Sequence, residues 1–211
     1  MSSGSTARRF WRTRFFVTVW MTALWLPAPD QAVVAGERQD SAQAYATEAY
    51  AIRRVDRSKF QLRYRPAIVP APVGYRAGTI VIDTVAKQLF LIEKGGQARR
   101  YGIAVGAAGH AWSGVASVGR MAKWPAWYPT DEMHSQVSQL RRRIEPGPAN
   151  PLGARALYLF KNGTDTLYRI HGTSEPWTIG KEVSSGCIRM LNEDVVDVYD
   201  RVSVGTVVVV R

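Results

Sequence analysis

From residue 78 onward, apolar residues fall in short runs separated by glycine and polar pairs. Gly78-Thr79-Ile80-Val81-Ile82-Asp83 and Gln88-Leu89-Phe90-Leu91-Ile92-Glu93 read as strands. Gly95-Gly96 makes a turn, and Gln97 to Val105 reads as a third strand, so this stretch predicts an antiparallel meander. Residues 106–154 change character, with Gly106, Gly109, Gly114 and Gly119 set among Trp112, Trp124, Trp127 and Tyr128. Met133, Val137, Leu140 and Ile144 recur at helical spacing and predict a helix over about 131–144. Thr130 can cap its start, Arg141-Arg142-Arg143 suit its last turn, and Pro146, Pro148 and Pro151 stop it. Strands resume at Arg155 to Phe160 and Thr166 to His171, with Asn162-Gly163 as a hairpin signal between them. Asn192 is placed to cap a helix from about Glu193 to Val202, and Thr206 to Val210 closes the chain as a buried strand. The pattern predicts one mainly β domain with two short helices over residues 74–211.

The start of the chain follows another logic. Arg8, Arg9, Arg12 and Arg14 precede an uncharged, mostly apolar run from Phe15 to Leu26, and Val33-Val34-Ala35 offers small residues for cleavage. That is the three-part layout of a secretory signal over residues 1–35; the run is short for a membrane-spanning helix, with an uncleaved anchor as the minority reading and Arg8-Arg9 as a hint of the twin-arginine route. The expected location is therefore the periplasm or cell envelope. Without residues 1–35 the chain keeps 24 basic and 16 acidic residues, net +8. In an exported protein this charge points to an anionic wall or membrane surface before nucleic acid, with ordinary solubility as the plainer reading. Residues 36–73 have a spacer's composition: Arg53, Arg54, Arg57, Lys59, Arg63 and Arg65, then Pro66, Pro70 and Pro72.

One cysteine, Cys187, is present. A lone thiol in an oxidising compartment is a liability unless it is used, although many single cysteines are small buried hydrophobes. Its surroundings favour use. Ser184-Ser185-Gly186-Cys187-Ile188-Arg189-Met190 lies 16 residues after the His of Arg169-Ile170-His171-Gly172-Thr173. Gly186 lets a substrate backbone approach the sulfur, and the tight turn around it can present N–H groups to an oxyanion. An imidazole at a strand end can take the thiol proton, and Arg189 adds positive charge that favours thiolate or a bound carboxylate. A metal site is the rival use of His and Cys. With only His110, His134 and scattered acids to complete a set, and no short-range ligand pair, no metal or cofactor is expected.

These two blocks, in this order and at this spacing, resemble the signature of the L,D-transpeptidases, the cell-wall enzymes with the YkuD-type domain. The likeness extends over Gly78 to Val210, including Val105-Gly106 and the Gly205-Thr206-Val207 ending. Many members carry His where this chain has Ser185. The resemblance implies a β-sandwich-like mixed sheet with the cysteine in a groove. It implies that Cys187 is the nucleophile and His171 the general base and later acid, oriented through a backbone carbonyl supplied by Gly172. The substrate would be the peptidoglycan stem peptide, attacked at the carbonyl preceding D-Ala at position four. The acceptor would be the amine of a second stem, giving a 3→3 cross-link, or a lysine of an outer-membrane protein or lipoprotein. Carbapenems would acylate the cysteine. Thr173, Ser184 and Ser185 are shell candidates, and Tyr101, Trp112 and Trp124 are candidates for lining the groove, with ordinary packing as their other reading. Release of the same acyl-enzyme by water, as a carboxypeptidase or endopeptidase, uses the same pair. A non-catalytic wall-binding module would use the charge and aromatics but has no need of the Cys–His pair.

Overall fold

The computed structural model describes residues 45, 47–107, 112–137, 139–184 and 186–211. The expected signal segment and Ser185 lie outside them. The described residues belong to one compact unit that begins at Ala44.

Among the described residues eleven strands form: β1 (Ala67–Pro70), β2 (Ile80–Asp83), β3 (Gln88–Ile92), β4 (Gln97–Gly102), β5 (Val105–Gly106), β6 (Gly114–Lys123), β7 (Arg155–Lys161), β8 (Thr164–His171), β9 (Glu182–Ser184), β10 (Ile188–Arg189) and β11 (Val207–Val210). Nine of them make a mixed sheet in the order β1-β4-β3-β2-β11-β6-β7-β8-β10, and β5 pairs with β9. The meander β2-β3-β4 is antiparallel as its sequence predicts, whereas β11 joins β2 in parallel and β10 joins β8 in parallel. The turn between β7 and β8 has Asn162 at φ 52° and Gly163 at φ 77°, the paired left-handed geometry that the dipeptide favours.

One core cluster gathers Ile80, Ile82, Leu89, Leu91, Val118, Leu157, Leu159, Ile170, Ile188, Met190, Val208 and Val210 against Val195 and Val198 of the second helix. Alternation in β2 sends Val81 to the opposite face, where it meets Ile92 and Ala98. Burial on both faces explains why these strands read as nearly continuous apolar runs.

The helices differ from the pattern in instructive ways. Helix α1 covers only Asp131–Gln136, capped by the Thr130 side chain as expected. Val137 is already extended and 53% exposed, so its apolar spacing finds no surface to bury against. Ile144 instead exchanges both backbone hydrogen bonds with Trp127, at 2.9 and 3.0 Å, and the arginine triplet lies outside any helix. Helix α2 covers Asn192–Arg201 with Glu193 and Asp194 in its first turn. Asn192 is not its cap; its side chain is used elsewhere.

The segment with a spacer's composition makes specific contacts. Glu48 forms a buried ion pair with Arg155 and accepts the Trp124 Nε1–H at 2.6 Å. Ile52 packs with Trp124, Ala154 and Val196. Arg57 reaches Asp194 at 2.6 Å, and Val55, Phe60 and Tyr64 pack on Ala104, Ile179 and Leu191. Residues 67–70 then add β1 to the edge of the sheet.

Candidate active site

Two adjacent parallel strands assemble the site. In the β8–β10 pair Ile188 faces Ile170 and Arg189 faces His171. Cys187 enters β10 one position before that pairing, with the Arg169 main chain as a hydrogen-bond partner of its thiol. Facing residues of parallel strands project to the same side, so Arg189 and His171 share one face of the sheet, and alternation in β8 adds Arg169 to it. Cys187 is half-buried and His171 is buried. Met190 donates its N–H to the His171 carbonyl at 2.8 Å and continues the pairing past the site.

His171 is held by its own neighbour. Its Nδ1 lies 2.6 Å from the Gly172 carbonyl oxygen. A carbonyl only accepts, so in the neutral ring Nδ1 carries the proton and Nε2 is left with a lone pair. Gly172 in turn donates to the Arg155 carbonyl at 3.0 Å. The turn after it is fixed by Asn192, whose Oδ1 accepts the N–H of Ala154 at 2.9 Å and of Thr173 at 3.2 Å, while Nδ2 donates to the Thr173 carbonyl at 3.0 Å. A Cβ on Gly172 would come within 2.1 Å of Asn192 Oδ1, and one on Gly153 within 2.2 Å. The two glycines are what allow that amide to sit against the main chain.

Cys187 faces an irregular stretch of β8. The β7–β8 register shifts between Tyr158 and Phe160, which face Arg169 and Asp165 respectively, and the extra residues include Leu167 at φ 63°. The Asp165 carboxylate pins this bulge by accepting the Leu167 N–H at 2.8 Å and pairing with Arg169 at 3.1 Å. The Leu167 carbonyl oxygen ends 4.0 Å from Cys187 Sγ, at the outer reach of a sulfur hydrogen bond. Gly186, at φ 117°, makes the turn into the cysteine. Regular alternation would put Leu167 on the face of His171; at the bulge it is 67% exposed.

Burial pushes the His171 pKa down to about 4, helped by the charges of Arg189 and Arg169 and opposed by the Gly172 and Pro151 carbonyls. Burial pushes the Cys187 thiol up, against the Arg169 backbone hydrogen bond and the charges of Arg169 and Arg189. The resting pair is therefore neutral thiol and neutral imidazole. Arg189 pairs with Glu175 at 2.9 Å, and Arg169 stacks 4.7 Å above the Tyr158 ring with its Nη1 buried and without a hydrogen-bond partner.

The other sequence candidates divide. Thr173 is buried, accepts the Glu175 N–H at 2.9 Å, and lines a hollow of about 230 Å³ with Trp127, Met133, Pro151, Ser174, Glu175 and Arg189. Tyr101 does not line a groove: it is a core residue, 2% exposed, and its hydroxyl donates to Asp197. Trp124 is likewise buried beside Glu48. Trp112 packs on the core with its ring 5.6 Å from that of Tyr168, which adjoins the bulge. The sequence pattern did not mark Asn192 or Arg169 as site residues. An Asn at a helix start reads as a cap, and an Arg in a strand as a solvated face.

His171 at the end of β8 and Cys187 at the entry to β10 thus lie on adjacent parallel strands, with Arg169 and Arg189 beside them. The family model for the L,D-transpeptidase (YkuD) catalytic domain matches residues 77–210, and the chain belongs to that family. Among proteins it resembles is the one described as "Probable L,D-transpeptidase YbiS" of Escherichia coli K12, 40% identical over 93 residues, which are 42% of this chain and 29% of that protein. Another is "Probable L,D-transpeptidase ErfK/SrfK" of Salmonella typhimurium LT2, 38% identical over 96 residues, 44% of this chain and 29% of that one. The matched stretch thus spans under a third of either relative. A solved structure described as a "Probable carnitine operon oxidoreductase" from Brucella melitensis is 46% identical, covering 72% of this chain and 96% of that one at a TM-score of 0.49.

Proposed function

We propose that this chain is an exported peptidoglycan L,D-transpeptidase in which Cys187 is the nucleophile and His171 the general base and acid. The observation that supports the reading is the parallel β8–β10 pairing, which sets the strand that follows Cys187 beside a His171 whose Nδ1 is committed to Gly172.

The chemistry follows from the neutral pair. A free thiolate is not stored; instead the Sγ–H proton passes to His171 Nε2 as sulfur attacks the stem-peptide carbonyl preceding D-Ala. The carbonyl becomes an oxyanion, which needs hydrogen-bond donors at the turn into Cys187. Collapse breaks the C–N bond, and the imidazolium returns its proton to the departing D-Ala amine, leaving a thioester on Cys187. An acceptor amine then attacks the thioester, gives a proton to Nε2, and expels sulfur, which recovers that proton. Each half-reaction restores neutral imidazole, and the bond to Gly172 keeps the ring in the tautomer that both need. Arg169, with an unused Nη1, and Arg189 supply positive charge for a substrate carboxylate.

Incubation of residues 36–211 with purified tetrapeptide muropeptides tests this. The expected result is a 3→3 linked dimer with release of D-Ala, and no dimer from Cys187→Ala. Dimer formation by Cys187→Ala, or no acyl-enzyme on the wild type by intact-mass measurement, overturns it.

A further inference from the structure

Outside the Cys187 face, the molecule carries a second concave feature, a cleft of about 860 Å³. One wall is the basic segment Arg53, Arg54, Lys59 and Arg63; the other is the loop Pro176 to Lys181, which links the His171 strand to the approach to Cys187. The walls are built against each other. Tyr64 seats over Gly102 and Gly180, where a Cβ would come within 2.5 Å and 2.6 Å of Tyr64 atoms. Phe60 and Tyr64 pack with Ile179 to form an apolar floor.

The rim has a different chemistry. Arg53, Arg54, Lys59, Arg63 and Lys181 are exposed around the cleft, and Trp177 stands 63% exposed beside them. The one acid lining the cleft, Asp56, is engaged by the N–H and hydroxyl of Ser58, at 3.0 and 2.7 Å. Among the described residues no salt bridge ties Arg53, Lys59, Arg63 or Lys181 to a carboxylate, although other surface arginines of this protein are paired. Cations left on both sides of a concave channel, with an exposed indole, fit a flexible anionic chain that carries rings with apolar faces. A planar anionic membrane would meet the outer rims and leave the interior and its aromatic floor unused.

We propose that this cleft binds the glycopeptide polymer of the wall as a strand, with a sugar ring against Trp177 and carboxylates at Arg53, Arg63 and Lys181. The inference rests on the transpeptidase reading for the identity of the polymer, and it adds a site for the strand separate from the site of acyl transfer. Because the loop 176–181 leads directly to β9 and Cys187, a strand held there is tethered close to the acylation site, which raises the local concentration of its stem peptides.

The test uses soluble, uncross-linked peptidoglycan strands and the full chain carrying Cys187→Ala to block turnover. Relative to that parent, Arg53→Ser/Arg63→Ser/Lys181→Ser is expected to weaken strand binding at least about tenfold, and Trp177→Ala several-fold. Binding by the parent is expected to weaken as salt is raised. In the Cys187 background, all these substitutions are expected to leave acylation by a free tetrapeptide unchanged and to slow reaction with strands. Unchanged strand binding by the triple variant, with its melting curve intact, overturns the proposal. So does a parent that binds phosphatidylglycerol vesicles and not strands. Failure of the wild type to turn over the tetrapeptide would remove the transpeptidase reading, while strand binding by Cys187→Ala would still decide the cleft.

Discussion

Asn192 holds Thr173 by both ends of its main chain, accepting its N–H at 3.2 Å and donating to its carbonyl at 3.0 Å. Thr173 follows the Gly172 that orients His171, so a residue of helix α2 sets the imidazole from two positions away. Asn192→Ala leaves the buried N–H groups of Ala154 and Thr173 without acceptors, at about 1–3 kcal/mol each. The expected outcome is a lower midpoint in chemical denaturation and a slower acylation rate, with substrate affinity little changed. Full acylation by that variant would show that the turn is held without Asn192.

A carbapenem is expected to add once per chain, on Cys187. The chain has one thiol, so the stoichiometry reads the nucleophile directly. Intact-mass measurement should give a single adduct on the wild type, none on Cys187→Ser, and addition slowed about 10²- to 10⁴-fold on His171→Ala, the range for loss of a general base. Equal labelling of all three would remove both assignments.

The neutral pair predicts the pH profile. With His171 at about 4, its base form is retained well below pH 6.5, so the acid limb of the acylation rate should fall near 4. An acid limb at 6 to 7 would mean a solvated imidazole.

The same shift links to stability. The folded state binds the His171 proton less tightly than the unfolded chain, whose value is near 6.5. Stability therefore rises with pH across 4 to 6.5 and is lost as pH falls through that window, by roughly 3 kcal/mol if the burial is maintained. His171→Asn should flatten this dependence in denaturant titrations at pH 4.5 and 7. A slope unchanged by the substitution would place the effect on another group.

Glu48→Gln removes one charge of the ion pair with Arg155, which is 1% exposed. Breaking a buried pair by removing one partner costs about 3–5 kcal/mol. Arg155 also accepts the Gly172 N–H through its carbonyl, so the loss should reach the His171 turn. The expected outcome is a lower midpoint and faster proteolytic cutting between residues 48 and 65. A variant as stable and as resistant as the wild type would mean that the segment is held by Ile52 and Arg57 alone.

Much of the candidate site was legible because its residues lie close along the chain. His171-Gly172-Thr173 and Gly186-Cys187-Ile188-Arg189 carry their residue types and spacing in the chain, and the imidazole–carbonyl bond joins neighbours. Strands β2, β3, β4, β7 and β8 were legible because alternation and turn dipeptides act over a few residues. The long strand β6 was not, since Gly114 and Gly119 read as punctuation. At Gly119 the missing side chain is needed: a Cβ would meet the Phe160 ring within 2.3 Å.

The sequence by itself determined the candidate residue types, their order and spacing, and the alternating strands, since each depends on residues close along the chain. Only the tertiary structure decided that Tyr101 and Trp124 are buried, that helix α1 stops at Gln136, and that Asn192 braces a turn rather than capping a helix. Only it placed residues 48–64 against the domain and left thiol and imidazole neutral. Each of these depends on which distant surface covers a residue and how much water it excludes. Local spacing carries no record of that.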